Sequence, residues 1–173
     1  MTDEQRQEIL NFAKQQRWTP GDLYWNHTLE VRDYALKLQE VYGGNRDVVE
    51  ISALLHDVGK AELRAPGHEK ISARMAKNLL GKLDFGEDLI EKVTSCVLYE
   101  DFSSLESEIL RSADSMSLLA GGARGREWYF ANVLKNNKRK ILKELTKSWE
   151  EISFDRARGL VKKDYQALLE KYR

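Results

Sequence analysis

The 173-residue sequence contains one cysteine, Cys96, and only two prolines, Pro20 and Pro66. A single cysteine cannot form an internal disulfide, so we expect a chain that does not depend on an oxidising compartment. Proline interrupts helices because it lacks an N–H donor and clashes with the preceding turn. Its scarcity therefore favours a mostly helical chain.

Long apolar runs and net charge are also absent. No apolar run approaches the roughly 20 residues of a membrane span, and the first ten residues are polar, so we expect no secretory signal peptide. Lys plus Arg is 28 and Asp plus Glu is 28, while 42% of the residues are hydrophobic. This composition predicts a cytoplasmic protein that folds as one domain over residues 1–173.

The charges are unevenly distributed along the chain. Residues 131–173 carry 12 basic and 6 acidic residues, a net charge of +6. Such a segment could bind nucleic acid electrostatically. However, its lysines and arginines are interleaved with Ile141, Leu142 and Leu145, which is typical of the solvated face of an amphipathic helix. We favour the second interpretation.

Apolar residues recur at helical spacing along the whole chain, and no stretch alternates like a strand. Thr2 and Gln5 resemble a capping box, and the pairs Gly43-Gly44 and Gly121-Gly122 are expected to end helices. Residues 60–67 are expected to form a loop that contains Pro66. The helices are predicted at about 3–16, 22–41, 47–57, 68–80, 87–99, 104–119, 126–135, 137–150 and 153–172.

Two histidines and two aspartates fall on apolar helix faces. His27 lies on the side of its helix that enters the core, and His56-Asp57 directly follows a buried apolar run. Asp114 has a leucine four residues away on either side. Buried polar groups of this kind need a partner. One divalent metal ion would satisfy all four side chains; alternatively, His56 caps its helix and each aspartate pairs with an arginine.

These residues occur in a recognisable order. His27 is followed by A-L-L-H-D-V-G-K at 53–60, G-H-E-K-I-S-A at 67–73 and E-I-L-R-S-A-D at 108–114. This pattern, over about residues 22–120, resembles the HD-domain superfamily of metal-dependent phosphohydrolases. The resemblance implies an all-α HD domain of about eight or nine helices, with helices from 126–172 packed on it. It also implies that His27, His56, Asp57 and Asp114 are metal ligands and that Asp57 can bridge two ions.

Members of the family that bind two ions have two further histidines. His68 matches the first of them, whereas Glu100, in V-L-Y-E at 97–100, stands where the second is expected. A carboxylate is a suitable ligand for Mg²⁺ or Mn²⁺, so His68 and Glu100 are candidate ligands of an altered second site. The alternative is that His68 is an exposed residue at the start of a helix.

The resemblance implies hydrolysis by a water that a divalent ion (Mn, Fe, Mg, Co, Ni or Zn) activates. Asp57 would orient this water or accept its proton. Lys60 would face the phosphate of a small phosphorylated substrate, possibly a nucleotide, and Arg124 and Arg126 could also bind phosphate oxygens. Each of these three cations could instead be an ordinary surface residue.

Two other classes of protein compete with the enzyme. The first is a nucleotide- or RNA-binding module that keeps the fold but has reduced or lost catalysis, which Glu100 and the basic segment favour. The second is a structural helical protein, which the complete set of four candidate ligands disfavours. The sequence leaves the substrate open, since the aromatic residues that could stack on a base are equally suited to a core: Trp18, Tyr24, Trp25, Trp128 and Tyr129.

Overall fold

A computed structural model describes residues 1–63, 67–99, 104–120 and 124–173, the last range without the Arg124 side chain. These residues form nine α-helices and one short 3₁₀ helix and contain no β-strand. The predicted all-α class is confirmed. The α-helices are α1 (Asp3–Gln15), α2 (Leu23–Tyr42), α3 (Arg46–Leu55), α4 (His68–Lys82), α5 (Glu87–Leu98), α6 (Leu105–Leu119), α7 (Arg124–Asn132), α8 (Lys138–Glu151) and α9 (Asp155–Tyr172).

Local sequence signals determine several helix ends. Thr2 and Gln5 form the expected capping box at the start of α1. Gly43 ends α2 with a φ of 88°, a conformation that glycine adopts without the steric penalty of a Cβ atom. The expected end of α6 at Gly121-Gly122 and the expected turn at Pro66 lie outside the described residues. None of the helices in the described ranges has the length and hydropathy of a membrane span.

Helix α3 is the centre of the fold. Every residue from Val48 to Leu55 is buried, and the helix packs against α1, α2, α4, α5 and α6. The apolar sequence of this segment accounts for most of that burial. One polar exception is Glu50, which is buried and pairs with Arg6 of α1 at 3.3 Å.

The chain leaves α3 earlier than the sequence predicts. The helix ends at Leu55 rather than near Asp57, which has φ −111° and ψ 4°, outside the helical range. Residues Val58–Ala61, expected to lie partly in a loop, form the 3₁₀ helix. Gly59 in this turn donates a backbone hydrogen bond to the Ser72 hydroxyl of α4 at 2.9 Å. The turn is thereby fixed to the helix that begins at His68.

The C-terminal helices follow the predicted pattern with one shifted boundary. Helix α7 ends at Asn132 instead of about 135, and Lys135 and Asn136 in the following turn adopt left-handed conformations with φ of 56° and 52°. Helix α8 is amphipathic, with Ile141 and Leu145 buried. Most of its basic residues are exposed, as expected for a solvated helix face.

We predict that Gly59→Ala destabilises the fold strongly. A Cβ atom at this position would lie 2.4 Å from the His68 carbonyl oxygen and 2.6 Å from the Ser72 backbone nitrogen. Backbone atoms cannot move aside as a flexible side chain does, so the free energy of unfolding should fall by about 3 kcal/mol. Urea denaturation measures this loss.

The matched control is Gly81→Ala in α4, where a Cβ atom meets nothing within 4 Å. Alanine is the better helix former, so this variant should be more stable by roughly 0.5–1 kcal/mol. Equal stability changes in the two variants would contradict the close packing at Gly59.

Candidate metal centre and adjoining cavity

The Asp57 carboxylate is the middle of a cluster of nitrogen atoms. Its side chain is only 4% exposed. The Oδ2 atom accepts a hydrogen bond from Lys60 Nζ at 2.5 Å and lies 3.6 Å from His27 Nε2 and 3.5 Å from His56 Nε2. The Oδ1 atom lies on the other side, 3.1 Å from His68 Nε2. Asp57 therefore presents its two oxygens to two separate sets of nitrogens.

Asp114 joins this cluster from α6, which packs against α2. Its Oδ1 atom lies 3.4 Å from His27 Nε2 and 3.8 Å from His56 Nε2. The structure thus brings His27, His56, Asp57 and Asp114 together from three parts of the chain. Neither aspartate shows the arginine pairing of the alternative interpretation in the described residues; Asp57 pairs with Lys60 and the histidines.

The spacing of these atoms suits one shared ion. Ligand atoms of His27, His56 and Asp57 lie within 4.8 Å of one another. Two ligands that each bind an ion at about 2.0–2.2 Å are at most about 4.4 Å apart, and neighbouring ligands are closer. The four nitrogen–oxygen separations between the two histidines and the two aspartates, 3.4–3.8 Å, fall within this limit. Asp114 is not part of the group whose ligand atoms all lie within 4.8 Å of one another.

His56 supplies an observation that points to a ligand. Its Nδ1 atom lies 2.8 Å from the Ala53 carbonyl oxygen, so Nδ1 carries the proton of the neutral ring and donates it. Its Nε2 atom is then an acceptor, and this buried atom has no hydrogen-bond partner among the described residues. The ring therefore both caps the end of α3 and turns a free lone pair towards Asp57 and Asp114.

His27 is held in the same tautomer by Ser117. The Ser117 hydroxyl donates to the Asp114 carbonyl oxygen at 2.7 Å, so it can accept from His27 Nδ1, which lies 3.1 Å away. The proton on Nδ1 leaves Nε2 free to bind a metal ion. Sequence reasoning missed Ser117, although its position three residues after Asp114 places it on the same side of α6.

The charges of the cluster shift the pKa values of its members in different directions. Burial opposes ionisation of Asp57, but Lys60 and the histidines outweigh it and hold the pKa of this carboxyl well below its usual range. Burial lowers the pKa of His56, which favours the neutral ring. For His27, burial is outweighed by Asp57 and Asp114, so its pKa is raised. Asp57 and His56 thus favour the protonation states that ligate metals, whereas the raised pKa of His27 favours the charged ring, which must lose a proton before Nε2 can bind an ion.

The candidate second site is only partly described. His68 begins α4, as the alternative interpretation expected, but its side chain is 15% exposed and faces Asp57 Oδ1. Glu100 lies outside the described residues, so its role as a ligand of the second site stays a prediction from the sequence.

The three predicted phosphate-binding cations have different surroundings. Lys60 contacts Asp57, and its Nζ atom lies 5.1 Å from the centre of the Trp18 ring. Arg126 donates through Nη1 to carbonyl oxygens in the last turn of α6, at 2.9 Å for Ala120. Part of its guanidinium is therefore used to satisfy a helix end. The backbone of Arg124 begins α7, and the structure does not describe its side chain.

A cavity of about 170 Å³ adjoins the cluster. Four of the aromatic residues that could belong either to a core or to a base-binding site line it: Trp18, Tyr24, Trp128 and Tyr129. Helix α8 contributes Glu144, Lys147, Ser148 and Glu151, which the sequence does not single out. Helix α8 packs on α6, and this packing brings the four side chains to the cavity. No local sequence pattern predicts that contact.

Comparison with known proteins identifies the family. The sequence model of the HD domain matches residues 24–119, so the chain belongs to the HD domain family. The expected resemblance is confirmed. Ribonuclease Y of Thermotoga maritima is 31% identical over 139 residues, which cover 78% of this chain and 25% of that protein. The chain thus spans about a quarter of the length of this curated relative.

Solved structures share the fold. Bacillus subtilis YpgQ has a TM-score of 0.77 with 19% identity, covering 98% of this chain and 92% of YpgQ. Its structure in complex with ADP has a TM-score of 0.74, with 18% identity over 95% and 92% of the two chains. An HD-superfamily hydrolase of Bacillus thuringiensis has a TM-score of 0.72, with 20% identity over 98% and 93%.

We predict that Ser117→Ala weakens metal binding without removing a ligand. The change frees His27 Nδ1 from its acceptor, so the ring loses its fixed orientation. Loss of such a supporting hydrogen bond typically lowers metal affinity about 10- to 100-fold. Calorimetric titration with Mn²⁺ measures the effect.

Ser107→Ala is the matched control. Ser107 is a buried serine of the same helix, and its hydroxyl has no hydrogen-bond partner in the described part of the chain. Its replacement should leave the Mn²⁺ affinity unchanged. Equal affinities for the wild type and Ser117→Ala would show that the hydrogen bond does not support a metal site.

Proposed function

We propose that this protein is a metal-dependent phosphohydrolase that acts on a nucleotide or another small phosphate ester. The observation that carries the proposal is that the Nε2 atoms of two histidines lie 3.4–3.8 Å from the oxygens of two aspartates. One of these nitrogens, Nε2 of His56, is buried and has no hydrogen-bond partner among the described residues. His27, His56, Asp57 and Asp114 would hold the ion. A bound divalent ion supplies charge for phosphoryl oxygens and lowers the pKa of a water molecule.

The residues around the proposed ion site would orient the water molecule and bind the phosphoryl group. Asp57 is ionised and buried, so it can orient a water molecule; its lowered pKa makes it a weak proton acceptor, so orientation is the better supported of its two predicted roles. Lys60 lies beside Asp57 on the cavity wall, where its ammonium group can bind a phosphoryl oxygen. Arg126 has donors left beyond Nη1 and lines the same cavity. Arg124 remains a candidate from the sequence.

The cavity supports a small substrate. Its volume is about 170 Å³, and its aromatic residues can pack against a planar base. Glu144 and Glu151 line the same space, where carboxylates accept hydrogen bonds from hydroxyl or amino groups. The fold shared with YpgQ, which has been solved with ADP, agrees with a nucleotide as substrate.

Nucleic acid is the second candidate substrate. The similarity to ribonuclease Y favours it, as does the net charge of +6 in residues 131–173. However, Glu144 and Glu151 in the cavity oppose a polyanionic strand, and of the basic residues of α8 only Lys147 lines the cavity. A short RNA should therefore be tested together with the small phosphate esters. Binding should be measured separately from hydrolysis.

We predict hydrolysis of at least one phosphate ester in the presence of Mn²⁺, Fe²⁺, Mg²⁺, Co²⁺, Ni²⁺ or Zn²⁺, and loss of this activity in Asp57→Asn. Residues that act as a unit fail together, so the rate should fall by at least about 100-fold. Nucleotides, other phosphomonoesters, phosphodiesters and a short RNA form the panel, and phosphate or nucleotide release is measured.

Asp88→Asn on the exposed surface of α5 is the control and should retain full activity. An Asp57→Asn variant with most of its activity would reject the assigned role. Nucleotide binding without hydrolysis by the wild type would instead support the binding module.

His68→Gln tests the second ion. If His68 binds an ion together with Asp57 Oδ1, the Mn²⁺ concentration for half-maximal activity should rise several-fold while one equivalent of ion stays bound. Glu100→Gln should act in the same direction. Activity and equilibrium dialysis provide the two measurements, with exposed Lys70→Gln as the control. An unchanged Mn²⁺ titration would indicate an enzyme that works with one ion.

A further inference from the structure

Tyr24 has a buried hydroxyl group that is not hydrogen-bonded to any described residue. It is the second residue of α2, is only 2% exposed and lines the cavity with His27, Asp57 and Asp114. Its hydroxyl has no hydrogen-bond partner among the described residues. The Thr28 hydroxyl, one turn later, donates to the backbone carbonyl of Tyr24 at 3.0 Å and makes no hydrogen bond with the phenol.

The rest of Tyr24 is held in place. Its backbone N–H donates to the Thr19 hydroxyl at 2.9 Å, and its ring packs against Trp18 with a centroid distance of 6.0 Å. Trp18 in turn contacts Lys60, whose Nζ atom lies 5.1 Å from the indole ring. Tyr24 and Lys60 thus flank the same indole on the cavity wall.

The buried polar atoms of this cavity that lack a hydrogen-bond partner can all act as donors. Among its described lining residues, a buried side-chain polar atom lacks a hydrogen-bond partner in Trp18 (Nε1), Tyr24 (Oη) and Arg126 (Nε). Each of these atoms carries a hydrogen that it can donate. Buried donors are rarely left unpaired in folded proteins, because the lost contact with water is not replaced. The cavity therefore suits a ligand rich in acceptor oxygens.

The nearby carboxylate does not meet this need. Both Asp57 oxygens already face nitrogens, Oδ2 towards Lys60 and Oδ1 towards His68. Burial, together with the charge of Asp57, raises the pKa of Tyr24, so the phenol keeps its proton. The phenol therefore has a proton to donate, and no described residue accepts it.

We propose that the Tyr24 hydroxyl donates a hydrogen bond to a phosphoryl oxygen of the bound substrate. This assignment rests on the proposed function and adds an uncharged donor to the cations Lys60 and Arg126. Tyr24 is then a catalytic residue, since it touches the group on which the reaction occurs. The phenol supplies a hydrogen bond of fixed direction, whereas the lysine supplies a mobile positive charge.

Tyr24→Phe is the test, because it removes only the hydroxyl group. The expected result is a kcat/KM for the best phosphate ester that is about 10- to 100-fold lower, as for loss of one donor to a charged oxygen. The affinity of the Mn²⁺-loaded protein for inorganic phosphate should also fall by about 10-fold or more, measured by calorimetry. The melting temperature should stay the same or rise, because the variant no longer buries an unpaired hydroxyl.

Tyr34→Phe is the matched control on the same helix. Tyr34 does not line the cavity, so its variant should hydrolyse substrate and bind phosphate like the wild type. A Tyr24→Phe protein with unchanged phosphate affinity would overturn the assignment. A lower melting temperature with proportionate loss of activity would overturn it too, since the hydroxyl would then be structural.

The two proposals fail differently in this experiment. A wild-type protein that hydrolyses nothing would reject the phosphohydrolase, whereas the phosphate titration would still compare the wild type with the Tyr24→Phe variant at the same site. An active wild type with an equally active Tyr24→Phe variant would reject only the role of Tyr24.

Discussion

The structure around the cavity depends on one buried negative charge. Asp57 follows an apolar helix directly into the core, where an isolated carboxylate is unfavourable. Lys60 and the histidines offset this penalty so far that the pKa of Asp57 lies well below its usual range. The short 3₁₀ helix brings Lys60 back to the carboxylate, and α4 begins with His68 beside it. The local fold is therefore arranged to neutralise this group.

The same arrangement joins the candidate site to the packing of the helices. His27 on α2 and Asp114 on α6 approach each other where these helices are in contact, and the Ser117 hydroxyl links the two. The residues that position the nitrogens are thus also part of a helix interface. Movement of α6 relative to α2 would change the ligand spacing directly. His27 and Asp114 thus lie within long helices, whereas His56 and Asp57 follow the end of α3.

The sequence predicted features that depend on local periodicity and on the order of motifs. The helix pattern, the capping box at Thr2 and the four candidate ligands follow from such signals. The early end of α3 and the left-handed residues after α7 depend on backbone conformations that tertiary packing selects. The cavity could not be predicted either, because Trp18 and Trp128, far apart in the sequence, meet there at a centroid distance of 5.7 Å.

Folding leaves two opposite kinds of unpaired polar atom beside this cavity. The Nε2 atom of His56 is an acceptor in the tautomer that its Nδ1 contact selects, whereas Trp18 and Tyr24 present unused donors. A cation alone would satisfy the histidine and leave the donors unpaired, and an anion alone would do the reverse. The proposed ligands, a cation together with a phosphoryl group, would pair both kinds of atom.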